Sequence, residues 1–226
     1  MEAWAIQGGI RMYKYVDRQQ VQRYDRKCRT ILEKLRQVLR EDYGIISQIS
    51  LVGSGARDLV TRNGKGSFDL DYNLILQSSP EEFDHDLAGL KRVIRETLDS
   101  ISRGVNFSLG QDSRSAVTIL EFAAPTKPPV FHADLAILSK NINGDFQRLI
   151  HNKQIPLEGY TWNQLPDSNR VGKRAAVLRQ QGYWADVRKA YLDRKNWYLG
   201  RPLSPRSSFE IYVETVNEMF QRLHLS

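Results

Sequence analysis

Two apolar runs joined by a glycine-containing connection, residues 51–76, constrain this chain most strongly, and they read LVGSGARDLVTRNGKGSFDLDYNLIL. The second run is typical of a buried β-strand, yet it contains Asp69 and Asp71. Successive side chains of a strand point to opposite faces, so the two acids share one face while Phe68 and Leu70 share the other. Adjacent carboxylates repel each other unless a cation lies between them, and hard divalent cations such as Mg2+ bind carboxylate oxygens. The pair therefore predicts a metal site.

A third acid lies within another apolar run, residues 130–138, which reads VFHADLAIL and is also typical of a strand. A carboxylate in the middle of such a strand is unfavourable unless it is paired or bound to a metal. Asp134 is therefore the predicted third ligand of the same site. By alternation His132 shares its face, and because Mg2+ prefers oxygen ligands we interpret His132 as a neighbour or a hydrogen-bonded structural histidine, not as a ligand.

The pattern of apolar residues predicts an α+β fold with three segments. Residues 1–43 contain a long amphipathic helix, expected to pack across both halves of the chain. Residues 44–145, which contain all three acids, predict a core with a small mixed or antiparallel sheet flanked by helices. Residues 146–226 predict a helical subdomain, because strand signals fade there and Ser207 and Glu210 form a capping-box pattern.

Composition limits the classes of protein that remain. A hydrophobic content of 41% and a charged content of 26% exclude a disordered chain. The single cysteine, Cys28, excludes an internal disulfide and a Cys-rich zinc site, and we expect no disulfide-linked partner. Without a membrane span or a signal-peptide core in the pattern, the expected location is the cytoplasm. The net charge of +7 favours a phosphate-bearing partner, although it also serves solubility.

One ordered set of residues combines these features, and it resembles the signature of the DNA polymerase β-like nucleotidyltransferase superfamily. The set is a Gly-Ser turn after one strand, an Asp-x-Asp pair on the next and a third acid on a later strand, at Gly53, Ser54, Asp69, Asp71 and Asp134. The segments FDLDYNL and ADLAIL resemble in sequence the corresponding motifs of the cyclic GMP-AMP synthase and oligoadenylate synthase branch, and those of its bacterial CD-NTase-like members. The resemblance implies a nucleotidyltransferase fold with a C-terminal helical subdomain.

The resemblance also implies an activity and a cofactor. It implies an enzyme of the EC 2.7.7 type that transfers a nucleoside monophosphate from an NTP, with ATP as the expected donor, to a hydroxyl acceptor and releases pyrophosphate. Two Mg2+ ions, for which Mn2+ can substitute, would be held by the three acids. Asp69 and Asp71 would contact both ions, and Asp134 would hold the ion that activates the acceptor and would take its proton.

Four further residues are implied to bind the nucleotide. Gly53 lets the backbone approach the phosphates closely, and Ser54 would donate a hydrogen bond to the β- or γ-phosphate. Arg57 matches an arginine that often follows the Gly-Ser turn, whereas the next two residues, Asp and Leu, stand where this branch often has Gly-Thr. Family members commonly use a lysine of the helical subdomain on the triphosphate, and Lys173 is the predicted one here.

The acceptor is left open among several classes. The resemblance of the motif sequences favours another nucleotide as the acceptor, which would give a linear or cyclic oligonucleotide signal. The alternatives are a small molecule such as an antibiotic, an RNA end or a protein side chain. An alternative of another class is a catalytically silent module that binds nucleotides or RNA, and the presence of all three acids favours the enzyme.

Overall fold

The computed structural model describes residues 12–103, 107–110, 113–122, 128–152, 154–155, 159–166, 168–199 and 206–224. The chain divides into two compact units. The larger unit takes in residues 17–60 and 67–167, and it contains the main sheet with the helices that cover it. The smaller unit takes in residues 1–16, 61–66 and 168–226.

Within the described residues the chain forms nine strands and seven helices. In chain order they are β1 (Tyr13–Tyr15), α1 (Arg18–Tyr43), β2 (Ile46–Val52), α2 (Gly53–Arg57), β3 (Thr61–Asn63), β4 (Phe68–Ser78), α3 (Glu82–His85), α4 (Leu87–Arg103), β5 (Ser108–Leu109), β6 (Val117–Phe122), β7 (Pro129–Lys140), β8 (Phe146–His151), β9 (Tyr160–Gln164), α5 (Asn169–Gln180), α6 (Trp184–Leu199) and α7 (Ser208–Arg222).

The larger unit is built on a seven-stranded mixed sheet, which confirms the predicted fold class. Five strands follow the order β2-β4-β7-β6-β5, and β8 pairs with β7 and with β9. The pair β4 and β7 is parallel, and the other pairs are antiparallel. The two strands predicted to carry the acids are thus direct neighbours near the middle of the sheet.

Helix α1 begins and ends where its sequence predicts. The Asp17 side chain accepts hydrogen bonds from the first-turn backbone N–H groups of Gln19 and Gln20, which an N-cap acid does. Gly44 ends the helix in the left-handed conformation, at φ 64°, and its N–H bonds back to the Leu39 carbonyl. The first eleven residues of the predicted segment 1–43 lie outside the described residues.

Helix α1 covers one face of the sheet, and the side chains on that face are mainly apolar. The Tyr24 ring stacks on Phe131 with centroids 4.4 Å apart, and it meets Phe68 edge-on at 5.2 Å. The hydroxyl of Tyr72 donates to Asp25 Oδ1 over 2.8 Å. Helix α4 packs beside α1. These contacts bury one side of β4 and β7, so polar side chains on these strands point to the other side.

The smaller unit combines a two-stranded sheet with three helices. Strands β1 and β3 pair antiparallel, and hydrogen bonds connect both strands to α6. Lys195 Nζ donates to Thr61 Oγ1 over 2.7 Å, and the Tyr13 N–H donates to Asn196 Oδ1 over 2.7 Å. This unit therefore joins segments that are far apart in the chain.

The helical part of the chain begins later than the pattern predicts. Residues 146–164, assigned to the helical subdomain, contain β8 and β9, and β8 extends the main sheet from the end of β7. The helices from α5 onward agree with the prediction, and the capping box of Ser207 and Glu210 is present. Helix α1 groups with the sheet unit. Its predicted packing across both halves stays a prediction.

No helix of the described residues has the length and apolar composition that a membrane span requires.

Candidate active site

The acids of β4 lie on one face of the strand, as the alternation predicts. Asp69 is exposed and Asp71 is half-buried, while the intervening Leu70 and the following Tyr72 are buried. The apolar side chains pack under α1, so the sheet itself holds the two carboxylates on its other face.

The third acid lies directly beside them on the neighbouring strand. Strands β4 and β7 pair in parallel register, with Asp71 opposite Asp134 and Asp69 opposite His132. Residues in register on adjacent strands project from the same face. The structure thus brings all three predicted acids to one patch of the sheet. His132 lies opposite Asp69 and is thus a neighbour of the acids, and its buried Nε2 has no hydrogen-bond partner among the described residues.

The charges at this patch repel each other. The pKa of Asp71 is raised from 3.8 to about 6, first by burial and then by the negative charges of Asp69 and Asp134. The positive charges of Arg148 and Arg57 act in the opposite direction. A carboxyl group in this setting retains a proton more readily than in water, and a bound cation would remove the repulsion.

The Gly-Ser turn lies against Asp71. Gly53 begins the short helix α2 with φ of 60°, a left-handed conformation that favours glycine. A Cβ atom at this position would lie 2.2 Å from Asp71 Oδ2 and 3.0 Å from its Cγ. Val52, the preceding residue, is opposite Asp71 in the β2–β4 ladder. The glycine is therefore required by its backbone conformation and by the closeness of the carboxylate.

Asp58, which stands where the resembled branch often has the glycine of Gly-Thr, has a structural role. Asp58 ends α2 in the left-handed conformation, at φ 59°, and its carboxylate forms an ion pair with Arg18 at the start of α1. Aspartate tolerates this conformation better than most side chains. Asp58 therefore ends α2, and the predicted Gly-Ser turn at Gly53 and Ser54 is still present.

The four predicted nucleotide-binding residues fall in both units. Gly53, Ser54 and Arg57 lie in α2, within the larger unit, and the charge of Arg57 acts on Asp71. Lys173 is exposed on α5, within the smaller unit. Its contact with a triphosphate stays a prediction.

Two residues of the site escaped the sequence analysis. Thr118 of β6 is opposite Asp134, and its hydroxyl donates to Asp134 Oδ1 over 2.6 Å. A threonine in a strand is too common to signal such a role. Arg148 of β8 acts on Asp71, and its Nε is buried without a hydrogen-bond partner among the described residues. It was missed because its segment was assigned to the helical subdomain.

The donor set fits a hard divalent cation, since it consists of three carboxylates on one face. As the side chains stand, no group of three or more His, Cys, Asp or Glu among the described residues is arranged so that it could hold a metal ion. Mutual repulsion and the hydrogen bond from Thr118 to Asp134 are consistent with an open arrangement of the carboxylates.

A cavity of about 410 Å³ lies elsewhere in the larger unit. Leu76, Phe83 and Trp162 are among its lining residues, and none of the three acids is. It is therefore separate from the site described above.

Comparison with known proteins identifies the fold. No family model matches the chain, and no curated protein matches it. Several solved structures do. The cyclic AMP-GMP synthase DncV of Vibrio cholerae, a prokaryotic cGAS homologue, is 12% identical, with a TM-score of 0.65 over 89% of this chain and 67% of that one. DncV of Escherichia coli, bound to 3'-deoxy GTP, is 12% identical, with a TM-score of 0.60 over 97% of this chain and 72% of that one.

A third structure agrees with these two. The STING-associated c-di-GMP synthase CdnE of Capnocytophaga granulosa is 16% identical, with a TM-score of 0.59 over 90% of this chain and 61% of that one. The chain therefore has the nucleotidyltransferase fold of the bacterial cGAS-like synthases, and the predicted resemblance is confirmed at the level of fold. It spans between 61% and 72% of the length of these three structures.

Proposed function

We propose that this chain is a metal-dependent nucleotidyltransferase that moves a nucleoside monophosphate from an NTP to a hydroxyl group. The observation that carries the proposal is the register of β4 and β7, which sets Asp71 beside Asp134 next to the Gly53 turn. A purely structural protein gains nothing from three carboxylates on one sheet face, because their repulsion opposes folding.

The three acids would hold the metal. Asp69 and Asp71 would contact two Mg2+ or Mn2+ ions, and Asp134 would contact the one nearer the acceptor. When bound, divalent cations neutralise charge on the α-phosphate and lower the pKa of an acceptor hydroxyl. The burial of the apolar face beneath α1 fixes the backbones of β4 and β7, so metal binding would rearrange the carboxylate side chains and not the strands that carry them.

The chain's own groups account for the remaining steps. The Gly53 turn lets the backbone approach the phosphates. Ser54 donates a hydrogen bond to them, and the positively charged Arg57 attracts them. Asp134 accepts the proton of the acceptor hydroxyl, whose oxygen forms a bond to the α-phosphorus. The bond between that phosphorus and the bridging oxygen breaks, and pyrophosphate leaves with the electron pair. Lys173 is proposed to contact the triphosphate from α5.

The preferred acceptor is a second nucleotide. Vibrio cholerae DncV has been solved in complex with ATP and GTP, and its fold is shared by this chain. An NTP donor, with ATP preferred, and a nucleotide acceptor would give an oligonucleotide or cyclic nucleotide. A small molecule, an RNA or a protein would be the acceptor if no product forms from nucleotides alone.

The test uses NTPs labelled at the α-phosphate, Mg2+ or Mn2+, and the full chain. We expect pyrophosphate release and a nuclease-sensitive product from the wild type, and none from Asp71→Asn. Asp42→Asn, the same substitution at an exposed position of α1, should retain full activity. NTP binding that needs the metal but never yields product, with or without added acceptors, would instead identify a silent nucleotide-binding module.

A further inference from the structure

The hydrogen bond between Thr118 and Asp134 links the site to strand β6. The two residues are directly opposite each other in the β6–β7 ladder, and the hydroxyl lies 2.6 Å from Asp134 Oδ1. This distance lies within the usual range of a hydrogen bond donated by a hydroxyl group. Among the described residues, Thr118 is the only one that donates a hydrogen bond to this carboxylate.

The position of the hydroxyl is set by the strand. Val117 and Ile119, on either side of Thr118, are buried on the opposite face and fix the face that Thr118 presents. The backbone carbonyl of Thr118 accepts a hydrogen bond of 2.8 Å from the Gly110 N–H. A β-branched side chain has few χ1 rotamers, so a fixed backbone also fixes the hydroxyl.

Strand β7 has β6 on one side and β4 on the other, so the two partners of Asp134 approach it from opposite sides. Thr118 engages Oδ1 from the side of β6, and Asp71 lies on the side of β4. With Oδ1 held, the carboxylate cannot rotate freely, and Oδ2 remains for a ligand shared with Asp71.

We propose that Thr118 is a positioning residue of the active site, whose hydroxyl orients the Asp134 carboxylate for metal binding. The proposal rests on the proposed function of the site. It assigns Thr118 no contact with the metal or the nucleotide, because its hydroxyl acts through Asp134. Loss of a hydrogen bond to a metal-ligating group typically lowers metal affinity or activity by about 10- to 100-fold.

The test compares two substitutions at this position. Thr118→Val keeps the shape of the side chain and removes the hydroxyl, whereas Thr118→Ser keeps the hydroxyl and removes the methyl group. The readouts are direct Mn2+ binding by calorimetry without nucleotide, thermal stability without metal, and NTP turnover as a function of Mg2+ concentration. Thr161→Val, the same substitution at an exposed position of β9, is the matched control.

We expect Thr118→Val to raise the half-saturating Mn2+ and Mg2+ concentrations by about 10-fold or more, and Thr118→Ser to stay within about 3-fold of the wild type. The stability of the metal-free protein should change little between the two variants. If the valine variant does not fold, Thr118→Ala removes the same hydroxyl without adding bulk, and the same expectation applies to it.

The possible failures are distinct. If the wild type shows neither turnover nor Mn2+ binding, the proposed function fails and the role of Thr118 fails with it. If the wild type shows both and Thr118→Val matches it, only the role of Thr118 is overturned. Serine and valine variants that are equally impaired would also overturn it, because the defect would then come from packing and not from the hydroxyl.

Discussion

Replacing Asp71 with asparagine should stabilise the protein in the absence of divalent cations while it abolishes turnover. Asparagine has the shape of the carboxyl group but cannot ionise. The substitution therefore removes the repulsion from Asp69 and Asp134, along with the unfavourable burial of a charge. It also removes the attraction to Arg148 and Arg57, which is weaker than the opposing effects because the pKa of Asp71 is raised on balance.

The size of the effect follows from the pKa. A rise from 3.8 to about 6 corresponds to about 3 kcal/mol, since one pKa unit is worth about 1.4 kcal/mol. Asp71 keeps part of its solvent contact, so we expect a gain of about 1 to 3 kcal/mol. For a chain of this length, that gain corresponds to an increase in Tm of about 2 to 12 °C.

The gain should depend on pH in a defined direction. Because the pKa of Asp71 is higher in the folded state than in the unfolded state, ionisation of this group destabilises the fold. The penalty is fully present above a pH of about 6 and is relieved as the pH falls toward 3.8. The stability of Asp71→Asn should therefore exceed that of the wild type at neutral pH, and the difference should shrink as the pH falls and vanish only below a pH of about 3.8.

The assay is thermal or urea unfolding at pH 7.5 and at pH 4.5, with EDTA and then with Mn2+. With Mn2+ the order should reverse, because only the wild type retains the ligand set that binds the ion. Asp42→Asn should follow the wild type under all conditions. An Asp71→Asn variant that is no more stable than the wild type at pH 7.5 in EDTA would refute the view that the three charges destabilise the metal-free site.

Three further outcomes are expected. Gly53→Ala should lose about 1 to 2 kcal/mol of stability because of its left-handed backbone conformation, and it should lose turnover because the added Cβ displaces Asp71. Gly64→Ala is the control, since Gly64 has φ of 59° and no atom lies within 4 Å of the added Cβ. It should lose stability but keep turnover. Arg148→Met should raise the pKa of Asp71 above that of the wild type, as followed by carbon NMR of the carboxyl groups. Cys28, which is 0% exposed and whose thiol pKa burial raises to about 12, should react with a thiol reagent only after unfolding.

The faces of the acid-bearing strands could be predicted from the sequence because they depend on a local rule. Alternation alone separates Asp69 and Asp71 from Phe68 and Leu70, and the structure has this separation. The same rule places Asp134 on the polar side of β7. Helix α1 could be predicted equally well, because the spacing of its apolar residues and its capping residues are local signals.

The remaining parts of the site depend on pairing between distant segments. Nothing in either strand specifies that Asp71 lies opposite Asp134, because register is decided by the assembled sheet. Strand β8 escaped prediction since FQRLIH interrupts its apolar residues with Gln and Arg, and it is a strand only because β7 and β9 flank it. Arg148 was missed with it.

The parallel pairing of β4 and β7 also ties ligand binding to folding. The two strands are separated in the chain by α3, α4, β5 and β6, so their acids meet only when β4 and β7 have paired across this long segment. A slip of one residue would turn Asp134 toward α1 and set an apolar side chain beside Asp71. A ligand that needs both acids therefore recognises only the assembled sheet, and it protects the larger unit against complete unfolding more than against local opening of α2.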